Sequence, residues 1–455
     1  MTVGGGGPVP GRGTLLAGLF LSIFGVAFEM IGIATALPVV MELFGASDLY
    51  AWAFSTFVIG QLFATIVSGR VSDRFGPAAP MAGGFVLLLL GLLAAVAAQS
   101  VWWLFAARLL QGLGAGGLML SLYVTIALAF EGHERASVLG WVSFVWLLPA
   151  FVGPPMAAWL VGVSWRWVFG FMIPFLLAAA VLVWWPMRRV QARFRPADIR
   201  GGAPWPAIVA VLLAPAFWQL AGEGFGVWSV ILGVVGVAAL GWGLGRVMPP
   251  SIRLTSRGLG AVVSARALQA GAFFAAEAFM LLLLRDLHGL EPMAAGLVLT
   301  IGSVGWTVGA WLQSRAWIRL RRDQLISAGT GLVICGLTCI VAFVALGWPV
   351  PVALSGWVLA GLGMGVQLPS TAVAVMDLSG AHEQGANNAA LQVAEGLGNA
   401  LMTGLAGGIY AFVLRSGSAE LSFLTLFASL LGVSFVGLWV TRRIGPIENS
   451  SLRRS

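Results

Sequence analysis

Apolar runs, each about 20 residues long, recur from residue 15 to residue 440, and each is long enough to cross a hydrocarbon core about 30 Å thick. Hydrophobic residues make up 59% of the chain and charged residues 9%. Soluble domains carry about a quarter charged residues, and no soluble interior could hide this much apolar surface. An outer-membrane barrel would show strands of about ten residues with alternating polarity, and no such alternation is present. The chain reads as an all-α polytopic membrane protein.

The spans fall at 14–40, 51–69, 80–100, 102–129, 137–162, 166–187, 205–221, 227–246, 258–284, 293–314, 325–347, 351–376, 385–414 and 421–441, fourteen in all. Alternate loops differ sharply in charge. One side holds Arg12, Arg70, Arg74, Arg135, the cluster Arg188, Arg189, Arg193, Arg195 and Arg200, then Arg246, Arg253, Arg257, Arg315, Arg319, Arg321, Arg322, Arg442, Arg443, Arg453 and Arg454; the other holds Arg166, Arg285 and Arg415. Positive residues of short loops stay cytoplasmic, so both termini are expected inside, in a cell inner (plasma) membrane. A twelve-span alternative would leave 205–247 as a loop, but two apolar stretches around Gly222-Glu223-Gly224 are poor loop material. Residues 15–40 contain Glu29 and have no small-residue cleavage site before a soluble domain, so they read as a retained first span, not a signal peptide.

Internal echoes organise these spans. Gly112, Gly114 and Gly116 recur as Gly361, Gly363 and Gly365, and His133-Glu134 as His382-Glu383, at a shift of 249. Arg70 and Arg74 recur as Arg315 and Arg319 at 245, and Glu29 as Glu277 at 248. The expected division is a cytoplasmic tail (1–13), an N-terminal six-helix bundle (14–187), a basic linker (188–204), a two-helix hairpin (205–247), a basic loop (248–257), a C-terminal six-helix bundle (258–441) and a cytoplasmic tail (442–455). Parallel halves of this kind place a substrate site near the midplane.

The echoes bring a family into view. Gly69-Arg70-Val-Ser-Asp73-Arg74-Phe-Gly76 resembles the G-x-L-A-D-R-x-G signature of the major facilitator superfamily, and Arg108-Leu-Leu-Gln111-Gly112-Leu-Gly114-Ala115 resembles its R-x-x-Q-G-x-G-A motif. The segment from Pro149 through Gly153-Pro154-Pro155 to Ala158 is similar to the motif of its drug/proton antiporters, and Glu29 followed by Ala36-Leu37-Pro38 to the first span of its fourteen-helix branch. Three departures stand out: Pro77-Ala78 replaces the usual basic pair, Pro149 the first glycine of the antiporter motif, and Ala157 and Ala158 its last two. The resemblance implies two six-helix bundles related by pseudo-two-fold symmetry, with the hairpin inserted between them.

Ionisable residues inside spans are functional hypotheses by default. Helical rise places Arg108 and Glu29 roughly 10 and 15 Å below the outer surface, within reach of each other. Burial and a neighbouring cation pull such an acid in opposite directions, so it can load and release a proton as access alternates. The resemblance gives the two residues this part; the plain alternative is a static buried pair. Glu277 and Glu395 are the C-terminal candidates, although Glu277 could also snorkel or pair with Arg285. Arg266, near the end of its span, is expected to snorkel, and Asp377 and Glu223 to be solvated. Trp357 stands where an echo of Arg108 would fall, so the arginine chemistry is expected in the N-terminal half alone.

Gly69, Asp73, Arg74 and Gly76 are the expected cytoplasmic gate, which in the family braces one half against the other; an ordinary polar turn is the alternative. Gly153, Pro154 and Pro155 remove helix donors and are expected to bend the fifth span. Trp102, Trp103, Trp165, Trp167, Trp184, Trp185 and Trp348 suit an interfacial belt. Trp146, Trp306 and Trp311 lie deeper and could line a substrate cavity with Phe144, Phe274, Gln269, Gln111 and Gln392, one suited to amphipathic or cationic molecules; lipid-facing packing accounts for the same residues.

The net charge of +8 comes entirely from arginine, with no lysine in the chain, and reads as codon bias, not as a nucleic-acid signal. Cys335 and Cys339 lack the partners of a metal site. No Walker motif or soluble catalytic domain is present. The chain is therefore expected to be no enzyme, to need no cofactor beyond protons as coupling ion, and to act as a monomer. The function expected is proton-coupled export of hydrophobic or amphipathic small molecules; the alternative is export or flipping of a lipid or lipid-linked metabolite.

Overall fold

Each apolar run becomes a helix, because in hydrocarbon every backbone N–H and C=O must be satisfied within its own segment. The computed structural model describes residues 11–130, 132–194, 204–222, 227–248, 252–315, 320–379 and 384–447. Arg195, Arg200, Glu223, Arg319, His382, Glu383, Arg453 and Arg454 lie outside the described residues. The helices are α1 (Arg12–Leu43), α2 (Tyr50–Phe75), α3 (Ala78–Val96), α4 (Val101–Ala129), α5 (Gly132–Val163), α6 (Arg166–Gly170), α7 (Met172–Arg193), α8 (Trp205–Gly222), α9 (Val227–Val247), α10 (Leu259–His288), α11 (Pro292–Gln313), α12 (Arg322–Leu346), α13 (Val350–Leu378), α14 (Gln384–Ser416) and α15 (Ala419–Thr441). Among the described residues 13 helical segments are long and apolar enough to cross a membrane, and α8 is a shorter apolar helix. The sixth expected span consists of α6 and α7 in succession.

The chain divides into two compact units, residues 1–46 with 56–202, and residues 47–55 with 203–455. In the first unit α1 packs on α5 and α7, and α3 on α4 and α7. In the second, α13 packs on α11 and α12, and α10 on α14 and α15. The hairpin belongs to the second unit: α8 packs on α14 and α9 on α8. Val227, Val230, Val234 and Val237 leave α9 broadly exposed, as befits a helix whose outer face meets acyl chains.

The glycine echo is a repeated packing solution. A Cβ at Gly112 would fall on the carbonyl oxygen of Phe57, and one at Gly116 on that of Gln61, both on α2. In the second unit the same positions, Gly361 and Gly365, face the carbonyls of Gly302 and Trp306 on α11. On the other side, Gly114 meets Leu88 of α3, as Gly363 meets Gly329 of α12. Small residues thus let one central helix lie between two neighbours at backbone contact, once in each unit.

Candidate functional site

The hydroxyl of Ser100 caps α4 by accepting from the Trp103 amide at 3.3 Å. Two turns later Arg108 points into the first unit, where the glycines keep α2 and α3 close enough to wall it in. Arg108 is 2% exposed and Glu29 of α1 is 1% exposed. Arg108 Nη1 donates to Glu29 Oε1 at 2.6 Å and to Gln111 Oε1 at 2.9 Å. Gln111 Nε2 in turn donates to the Gly91 carbonyl of α3 at 3.3 Å. The guanidinium carbon lies 4.4 Å from the centre of the Phe57 ring, a cation–π contact that a dry site strengthens. Glu29 Oε2 is buried and accepts no hydrogen bond among the described residues.

Sequence reasoning placed Glu29 and Arg108 within reach, and the structure brings them together. It also brings the antiporter-like segment beside them. Gly153 of α5 lies against the backbone of Gly32, three residues after Glu29, and near the Phe28 ring. Pro149, Pro154 and Pro155 all lie inside α5, which stays helical across them.

The second unit holds a buried pair of its own, which corrects two expectations. Arg266 does not snorkel. Its side chain is 6% exposed, and Nη2 donates to Glu395 Oε2 at 2.6 Å, with Glu395 18% exposed. Arg266 Nε donates to the same oxygen at 3.1 Å, and Nη1 to the Leu368 carbonyl at 2.5 Å and to Thr371 Oγ1 at 2.8 Å. Arginine chemistry is therefore not confined to the N-terminal half. The sequence offered no reach argument for this pair, because its members lie on α10 and α14 with α13 supplying the remaining acceptors. At the echo of Arg108, buried Trp357 stacks on Phe273 with centroids 4.8 Å apart. Glu277 is partly exposed and makes no hydrogen bond or ion pair among the described residues.

The gate motif has a support that sequence reasoning missed. Gly76 has φ +82°, a left-handed conformation that favours glycine, and a Cβ there would collide with the side-chain amide of Gln191 on α7. That amide clips the α2–α3 turn: its Nε2 donates to the Phe75 carbonyl at 2.7 Å, and its Oε1 accepts from the Ala78 amide at 3.1 Å. Asp73 and Arg74 are exposed, with Arg74 5.2 Å from the Phe75 ring. A Cβ at Gly69 would make only ordinary contact with Leu120. Gly76 alone was a signal for the turn; nothing in the sequence tied it to Gln191.

The expected cavity residues differ in burial. Gln111 and Gln269 are fully buried, Gln269 donating to Ser434 Oγ at 3.5 Å. Phe274 and Trp306 are partly exposed and pack together at 6.2 Å, while Trp146 is partly exposed and Phe144 and Gln392 are exposed. Trp311, expected deeper, is 49% exposed beside Arg315; its helix turns it outward in the last turn. Cys335 and Cys339 are both free thiols, and no metal-binding cluster occurs among the described residues.

Comparison with known proteins identifies relatives of this chain. The multidrug efflux pump SdrM of Staphylococcus aureus is 24% identical over 93% of this chain and 95% of its own length. The acurin A biosynthesis cluster MFS-type transporter of Aspergillus aculeatus is 28% identical over 38% of this chain, and the match spans only 32% of that protein. Among solved structures, a POT family transporter in complex with a thioalcohol-conjugated peptide superposes with a TM-score of 0.71 at 16% identity, covering 96% of this chain and 98% of that one; this likeness shows the fold alone. The family profile described as Major Facilitator Superfamily matches residues 19–401, and the chain is a multi-pass membrane protein belonging to that superfamily.

Proposed function

We propose that the chain is a proton-coupled secondary transporter that exports hydrophobic or amphipathic small molecules by alternating access across the plasma membrane, with both termini cytoplasmic. The observation that carries this reading is the Glu29–Arg108 pair, buried and joined at 2.6 Å. A proton added at Glu29 Oε2, the oxygen without a partner, breaks no hydrogen bond. The resulting neutral carboxyl is cheap to keep in an apolar span, but it leaves the buried Arg108 cation without its counter-charge, a cost of about 3–5 kcal/mol that a movement of the helices or release of the proton would relieve. The guanidinium then retains Gln111 and the Phe57 ring. Protonation thus changes the attraction between α1 and α4 beside Gly32 and Gly153, where α1 meets α5. The relative named as a multidrug efflux pump supports export of small molecules as the outcome.

The test is flux in vesicles holding the purified chain, with a pH gradient imposed. The proposal expects a hydrophobic cationic dye to move against its own gradient as protons run down theirs. Movement of a fluorescent lipid with no movement of dye would replace this reading with lipid export. Gradient-independent leak of both would remove proton coupling.

A further inference from the structure

Six tryptophans are followed four residues later by an arginine; apart from Trp317, which lies outside the described residues, the pairs are Trp184 and Arg188, Trp185 and Arg189, Trp242 and Arg246, Trp311 and Arg315, Trp439 and Arg443. Residues four apart share a helix face, and side chains lean toward the helix N-terminus, so the arginine folds back over the indole. In all five the guanidinium carbon lies over the ring, at 5.5, 5.9, 4.5, 4.2 and 5.4 Å from its centre in chain order. The indoles are between 44% and 64% exposed. They sit at the C-terminal ends of α7, α9, α11 and α15, the sixth, eighth, tenth and fourteenth spans, which alternate spans bring to one leaflet.

We propose that these pairs are binding clamps for anionic phospholipid headgroups. An exposed indole at a span end rests at the level of the acyl carbonyls. The arginine stacked on it is held at that depth instead of reaching out into water. A guanidinium over a ring keeps its in-plane N–H donors for a phosphate, which it can bind in bidentate fashion. Arg246 and Arg443 each donate to a backbone carbonyl, that of Trp242 at 2.8 Å and that of Thr255, which fixes the group and leaves donors among its five. The cation also complements the negative end of the helix dipole. Arg166, one of the three arginines at the opposite end of the spans, is built differently: it follows a buried Trp165 directly and donates to the carbonyls of Val96 and Ala98 at 3.0 and 3.1 Å. The clamps rest on span direction alone and do not depend on what the chain transports.

The experiment is native mass spectrometry of the full chain released from micelles carrying phosphatidylglycerol or phosphatidylcholine. The wild type should retain several phosphatidylglycerol molecules in preference to phosphatidylcholine. Trp311→Leu should weaken retention at its site roughly threefold, the scale of one exposed cation–π contact, and Arg315→Gln should remove one retained anionic lipid. Trp228→Leu, an exposed tryptophan at the other end of α9 with Leu232 four residues on, should change nothing. Equal retention of the two lipids by the wild type, unchanged retention in Trp311→Leu, or an equal loss in Trp228→Leu would overturn the proposal.

Discussion

Removing the carboxylate of Glu395 tests whether the second unit depends on a charge pair that helix-by-helix reading did not foresee. In Glu395→Ala the guanidinium of Arg266 keeps only the Leu368 carbonyl and the Thr371 hydroxyl, with its side chain 6% exposed. Stranding a buried charge costs about 3–5 kcal/mol. At about 2 °C per kcal/mol for a unit of this size, the second unit should melt roughly 6–10 °C lower. Intrinsic tryptophan fluorescence during a thermal ramp in detergent measures this. The double variant Arg266→Met with Glu395→Leu removes both charges and should recover most of the loss, because an apolar pair of similar volume is often neutral in place of a buried ion pair. A Glu395→Ala protein as stable as the wild type, or a double variant worse than the single one, would refute the reasoning.

Other consequences can be checked in the same way. The contrasting surface pair, Arg12 and Glu134 at 3.0 Å with exposures of 26% and 59%, should matter little: Glu134→Ala should shift stability by about 1 kcal/mol or less. Gly112→Ala and Gly361→Ala should each destabilise by at least about 1–3 kcal/mol, because a Cβ would meet backbone carbonyls; Gly83→Ala and Gly331→Ala, with nothing within 4 Å, should be neutral or slightly stabilising in the same thermal assay. Gln191→Ala loses two hydrogen bonds to the α2–α3 turn, about 1–3 kcal/mol together, and hydrogen exchange at the Ala78 amide should speed up accordingly; unchanged protection there would show that the clip does not hold the turn.

Much of this was legible because the membrane makes sequence patterns strict. Span length, arginine placement and the glycine echo each follow from a local rule, and the contacts of Gly112 and Gly361 repeat as their spacing implied. Glu29 and Arg108 could be paired by depth alone, since both lie far enough into their spans to lack water. Arg266 could not, because its depth fits snorkelling equally well and only α13 and α14 decide the matter. Gln191 was invisible for a related reason: an amide near the end of a basic helix carries no mark of the turn it clips. Trp311 could be cavity-lining or lipid-facing on sequence alone, because position along a span says nothing about which way the residue faces.

The central claim is that Glu29 is the proton-carrying member of the buried pair. Glu29→Gln keeps the shape and a neutral acceptor for Arg108 but can no longer lose or gain a proton. In proteoliposomes this variant should still exchange labelled substrate across the membrane at equilibrium, while its accumulation driven by an imposed pH gradient disappears. Gradient-driven accumulation at the wild-type rate in Glu29→Gln would contradict the account.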